Sequence, residues 1–126
     1  MQIERRVREI LDSEAEAIKA VSINASYAKA VGFIENCKGK IITTGMGKAG
    51  IVAHKFAAIL SSTATPAVFI HPAEAAHGDL GTLAPGDCIV AFSTSGKTRE
   101  VIEFIQLSRR MNIGSVIGIT SHTDSG

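Results

Sequence analysis

Tryptophan is absent from this chain, tyrosine occurs once, and aromatic residues make up only 5% of its 126 positions. A surface that reads single-stranded nucleic acid needs stacking platforms, and few are on offer. An excess of either charge is missing too: 13 Lys and Arg against 12 Asp and Glu leave a formal net charge of +1. That balance argues against bulk electrostatic binding of a polyanion, so no nucleic-acid partner is expected. No apolar run approaches the ~20 residues that span a bilayer, and the charged N-terminus has no apolar signal segment. No membrane partner is therefore expected, and the cytoplasm is the default location. The two cysteines, Cys37 and Cys88, lie far apart and form no metal-type spacing, so they read as reduced, structural thiols. With only three prolines and no linker, repeat or low-complexity tract, residues 1–126 read as one domain.

What the chain does have is a core. Apolar residues supply 45% of the sequence, enough for one packed domain. Residues 2–22 place Ile3, Val7, Ile10, Leu11 and Ile18 at helical spacing, and residues 24–37 repeat the pattern with Tyr27, Ala30, Val31 and Ile34. Both helices precede the first strand, so they are expected to pack on the body of the domain or on a second subunit. Strand and helix then alternate. Strands are expected near 40–44, 66–70, 87–92 and 115–120, helices near 47–61 and 98–111, and a shorter helical stretch near 72–77. Continuous Ile/Val/Phe character in the strands fits a parallel sheet covered on both faces. The expectation is an α/β fold: a three-layer αβα sandwich with a mostly parallel, doubly wound sheet, preceded by two helices. Helix 47–61 should bury Val52, Phe56, Ile59 and Leu60, and helix 98–111 should bury Val101, Ile102 and Ile105.

Two turns, each where a strand should hand over to a helix, concentrate the chemistry. The first is Thr44-Gly45-Met46-Gly47-Lys48-Ala49-Gly50; the second is Ser93-Thr94-Ser95-Gly96-Lys97-Thr98-Arg99-Glu100. Such turns aim unpaired backbone N–H groups and a helix dipole at one point, which suits an anion. The glycine spacing Gly45-x-Gly47-x-x-Gly50 matches the dinucleotide-binding fingerprint, but the next strand ends Val68-Phe69-Ile70-His71-Pro72 without the carboxylate that would hold a ribose. A nucleotide-hydrolysing loop is excluded because Lys48 is followed by Ala49 rather than Ser or Thr. Lys48 opposes the dipole of its own helix, a cost of about 0.3–1 kcal/mol that an anionic ligand would reverse. Around Gly96, Ser93, Thr94, Ser95 and Thr98 offer more hydroxyls than one helix cap needs, and a phosphate would use them. Glu100, in the first helical turn, is favourable there with or without a ligand. A third cluster, His71-Pro72-Ala73-Glu74-Ala75-Ala76-His77-Gly78-Asp79, lies after the second strand. No spacing in it is diagnostic of a metal, and a histidine in such a crevice suits proton transfer.

Taken together, the three segments resemble the sugar isomerase (SIS) domain, and within it the arabinose-5-phosphate isomerases of Kdo and capsule sugar synthesis. Gly45-Met46-Gly47-Lys48-Ala49-Gly50 is similar to that family's first turn, His71 through Gly81 to its central signature, and Ser93-Thr94-Ser95-Gly96 to its phosphate loop. The resemblance implies catalytic positions at Lys48, His77 and Glu100, and a substrate site at Gly45, Gly47, Ser93, Thr94, Ser95 and Thr98. It implies aldose–ketose interconversion of ribulose 5-phosphate and arabinose 5-phosphate through an enediol, with a sugar-phosphate ligand, no cofactor, no metal, and a homo-oligomeric dimer or tetramer. Family members often carry Glu where this chain has Lys97. The family also uses a later Glu and His and paired CBS domains, so the chain is expected to represent the N-terminal two thirds of a SIS domain. A non-catalytic phosphosugar-binding or regulatory module is the alternative.

Overall fold

Four parallel strands in the order β2-β1-β3-β4 form the sheet of the computed structural model, which describes residues 1–75 and 78–121. The strands are β1 (Ile41–Gly45), β2 (Ala67–Phe69), β3 (Cys88–Phe92) and β4 (Ser115–Ile119). Two helices, α1 (Gln2–Lys19) and α2 (Ala25–Glu35), come first; α3 (Gly47–Ser62), α4 (Pro72–Ala75) and α5 (Arg99–Arg110) then connect the strands, with a 3-10 turn over Asp79–Thr82. Every strand pair is parallel. The expected α/β architecture and element order are therefore present, and only the 3-10 turn was not anticipated.

Alternation along the two central strands divides the core into halves. Ile41, Cys88, Val90 and Phe92 face α3 through Ala53, with Ile34 and Cys37 beside them. Ile42, Ile89 and Ala91 face the opposite side and pack with Ala75 of α4, Val101 and Phe104 of α5, and Ile113. Helices thus cover both faces, and β1 and β3 are buried throughout, as continuous apolar strands require. Burial, and to a lesser degree the neighbouring Cys37, pushes the Cys88 thiol up to about 11, so it packs as an inert apolar group. Among the described residues no helix is long and apolar enough to cross a membrane.

The helix faces differ in part from the periodicity. On α3 the buried residues are Gly50, Ala53 and Ala57, while Val52 and Ile59 stay 54% and 48% exposed. The helix is apolar on nearly every side, so spacing alone did not choose a face; the small residues win because they let the helix lie close on the sheet. On α5 the centre of the buried face is Phe104, flanked by half-buried Ile102 and Ile105. Neither α1 nor α2 buries any residue.

A buried clasp joins the amino ends of the two central strands. The Asp87 side chain, 2% exposed, accepts from the Lys40 backbone N–H at 2.9 Å, the Lys40 ammonium at 2.8 Å and the Ala84 N–H at 2.9 Å. Burial alone would raise its pKa; the Lys40 ammonium and the two amides outweigh that and hold the carboxyl below its ordinary value. A depressed folded-state pKa stabilises the fold fully above about pH 5, and this is lost as the pH falls through the folded value. Asp87→Asn should cost about 2–3 kcal/mol in urea unfolding at pH 7, with the gap to the parent narrowing toward pH 3. A gap constant over that pH range would show that the ionised carboxylate is not what the clasp uses.

Candidate functional site

The two turns singled out in the sequence leave the sheet from adjacent points. Gly45, the last residue of β1, is in register with Phe92, the last residue of β3. Strand β2 lies on one side of β1 and β3 on the other, so the chain order reverses between them, and ligands of open α/β sheets bind at such carboxyl-end crevices. A cleft of about 390 Å³ is found there, lined by Met46, Lys48, Ala49, Ser93, Thr94, Ser95 and Thr98.

Glycine chemistry shapes the first wall. Gly47 adopts φ +56°, a conformation that side chains disfavour. A Cβ at Gly50 would lie 2.5 Å from the Gly45 carbonyl oxygen, so the end of β1 and the first turn of α3 approach as closely as they do only because both are glycine. Two buried hydroxyls fix the strand end beneath them. Thr43 Oγ1 donates to the Ala53 carbonyl of α3 at 2.7 Å, and Thr44 Oγ1 donates to the Ile70 carbonyl at 2.7 Å. Thr44 thereby ties β1 to the segment that leads into α4.

In the second wall the hydroxyls bond to the loop itself. Ser93 is buried; its Oγ accepts from the Gly96 N–H at 3.0 Å and shares a 2.7 Å hydrogen bond with Thr98 Oγ1. Ser95 Oγ accepts from the Lys97 N–H at 3.0 Å, and Gly96 turns the chain with φ +71°. The Ser93 N–H donates to the Ile119 carbonyl and the Ser121 N–H to the Thr94 carbonyl, both at 3.0 Å, so the loop is tied to the end of β4. Thr98 is the N-cap of α5, yet its hydroxyl makes no capping bond; Met46, the N-cap of α3, supplies none either. Both helices that begin at the cleft therefore start without a side-chain cap, a kind of terminus whose uncapped amides suit an anion.

Of the residues expected at a site, Lys48, Ser93, Thr94, Ser95 and Thr98 line the cleft together, and Gly45 and Gly47 form the bend that carries Lys48. Lys48 is exposed and makes no ion pair among the described residues. Glu100 is half-buried in the first turn of α5, two residues past Thr98, and is not part of the lining. His77 lies outside the described residues. His71 is half-buried, accepts from the Ala73 N–H at 3.2 Å through Nδ1, and meets the Phe69 ring edge-on. Sequence reasoning missed Met46 and Ala49 as lining residues and Thr43 and Thr44 as anchors. The signal for the first pair was their place inside the glycine turn; the threonine hydroxyls in an apolar strand were the signal for the second.

Residues 33–126 match the family model described as the SIS domain. Arabinose 5-phosphate isomerase KpsF of Escherichia coli is 41% identical over 123 residues, which cover 94% of this chain and 37% of that protein. The chain thus spans little more than a third of the curated relatives it matches. Among solved structures, a protein from Bacteroides fragilis involved in capsule formation superposes with TM-score 0.93 and 43% identity, over 98% of this chain and 67% of that one. The c3406 protein of E. coli CFT073, solved in complex with arabinose 5-phosphate, superposes with TM-score 0.92 and 32% identity, over 99% of this chain and 67% of that one.

The close approach of Gly45 and Gly50 gives a direct check. Gly50→Ala should destabilise the chain by about 1–3 kcal/mol in chemical denaturation. An unchanged midpoint would mean that the first wall is free to relax and does not fix Lys48.

Proposed function

The chain belongs to the SIS domain family, and from that premise we propose that it forms the sugar-phosphate site of an aldose–ketose isomerase interconverting D-arabinose 5-phosphate and D-ribulose 5-phosphate. One observation carries the reading: a hydroxyl-rich turn and a lysine-bearing glycine turn share one cleft at the carboxyl ends of adjacent strands. A phosphoryl group would take over the amides that Ser93 and Ser95 now satisfy, while Thr94 and Thr98 add acceptor and donor capacity. Anchoring that end turns phosphate binding into positioning of the distant reacting carbons.

Isomerisation removes a proton beside the carbonyl and passes through an enediolate. Lys48 would stabilise its negative charge at the other wall of the cleft. The resemblance to the family supports His77 as the proton shuttle and Glu100 as base or orienter. Neither residue is needed for the phosphate half of the proposal. No cofactor is required by this chemistry. We place the protein in the cytoplasm and propose that it works as a homo-oligomer.

A second reading has its own support. Among the described residues Lys48 is the only ionisable side chain lining the cleft. A site with a cation and hydroxyls but no base suits a non-catalytic sugar-phosphate-binding module.

Turnover and binding separate these readings. Arabinose 5-phosphate should raise the melting temperature and be converted to ribulose 5-phosphate. Protection without conversion assigns the binding module, and protection by a dinucleotide alone overturns both readings. Lys48→Ala should lower kcat by about 100-fold or more with little change in Kd, whereas Ser95→Ala should weaken binding by about 5–10-fold. Equal loss of turnover and binding in Lys48→Ala would refute its assigned role.

A further inference from the structure

Helix α4 hangs on one residue. Its first position is Pro72, which has no N–H to place. The next amide, that of Ala73, donates to Nδ1 of the His71 ring at 3.2 Å. The Glu74 and Ala75 amides both donate to the His71 carbonyl at 3.1 Å. Every N–H of α4 therefore ends on His71, through its ring or its backbone. Asn, Asp, Ser or Thr usually serves such a helix start, and here an imidazole takes their place. A helix of a single turn has no further bonds of its own to fall back on.

Both neighbours of that residue lead to the cleft. Ahead of it, the Ile70 N–H donates to the Thr43 carbonyl at 2.9 Å, and the Ile70 carbonyl accepts from Thr44 Oγ1 at 2.7 Å. Thr44 runs directly into the glycine turn that carries Lys48. The ring itself meets the edge of Phe69, with centroids 6.5 Å apart, and Phe69 in turn packs on His54 of α3 at 5.0 Å. Beyond it, buried Ala75 shares a core cluster with Val101 and Phe104 of α5. Val101 follows Glu100 in the first turn of α5, and Thr98, the N-cap of that helix, lines the second wall. His71 thus stands on the packed path between the two walls.

We infer that His71 is a positioning residue whose Nδ1, as acceptor for Ala73, sets α4 against the first turn of α5 and so places Glu100. Its effect on turnover rests on the isomerase reading; its effect on α4 rests on the hydrogen bonds alone. Accepting through Nδ1 leaves the proton of the neutral ring on Nε2, so the two ring nitrogens have separate duties that substitution can tell apart.

Asparagine puts Oδ1 where histidine has Nδ1, whereas the amide of glutamine reaches the place of Nε2. His71→Asn should therefore keep kcat for arabinose 5-phosphate within about twofold of the parent, while His71→Gln and His71→Ala lower it about tenfold or more with Kd nearly unchanged. Measured where each chain is fully folded, a merely stabilising role would leave kcat equal in all four, which overturns the inference. A parent-like Gln variant beside an impaired Asn variant would shift the duty to Nε2 and also overturns it. Exchange of the Ala73 amide, followed by NMR, needs no turnover: it should quicken about tenfold or more in the Gln and Ala variants and stay parent-like in the Asn variant. Equal exchange in all four chains counts against the inference. A parent that binds arabinose 5-phosphate without converting it overturns the isomerase reading alone, and the exchange pattern then decides this one.

Discussion

The parallel pairing of β1 with β3, running from Ile41 with Cys88 to Gly45 with Phe92, decides where every functional group can stand. Because the two strands end level with each other, both of the turns that follow must emerge at one place. Because β2 lies on the far side of β1, the helices that follow β1 and β3 diverge to opposite faces of the sheet. A gap is left between the turns, and their helix starts point into it. Everything proposed for Lys48 and the hydroxyl loop depends on that register. A shift of one residue between β1 and β3 would also turn over the side chains of one strand relative to the other, separating Ile41 and Cys88 onto opposite halves of the core.

The loop after β3, proposed here to hold a phosphate, is ordered by its own hydrogen bonds. The Gly96 and Lys97 amides of the turn find their acceptors in the Ser93 and Ser95 hydroxyls. Thr98 bonds to Ser93 instead of capping α5. On the proposed reading an entering anion would exchange one set of hydrogen bonds for another, leaving little conformational entropy to be lost at that step. Among the described residues Lys48, on the other wall, supplies the one full positive charge in the lining.

Much of this was legible in the residues. Strand and helix positions followed from apolar runs and from the glycine-hydroxyl turns, because in an α/β sheet each strand's burial and each turn's chemistry are written locally. The turn residues Lys48, Ser93, Thr94, Ser95 and Thr98 were also readable, since their types exceed what capping alone requires. The buried face of α3 was not. Ile51, Val52, Phe56, Ile59 and Leu60 surround that helix, and only the shape of the sheet beneath it selects Gly50, Ala53 and Ala57. The same is true of Thr43 and Thr44, whose bonds reach Ala53 and Ile70 across the fold. Glu100 remains a residue whose place in the helix is explained by the dipole, while its role rests on resemblance.

The Lys40–Asp87 clasp sits at the amino ends of the strands, and the cleft opens at their carboxyl ends. The residues that clasp the sheet and the residues that line the cleft therefore do not overlap. Under the proposed sugar-phosphate reading, mutational drift at the lining residues Met46 or Thr94 would reshape the pocket while the scaffold keeps its stability. Such a division of labour lets descendants of one ancestor diversify in specificity without having to fold anew.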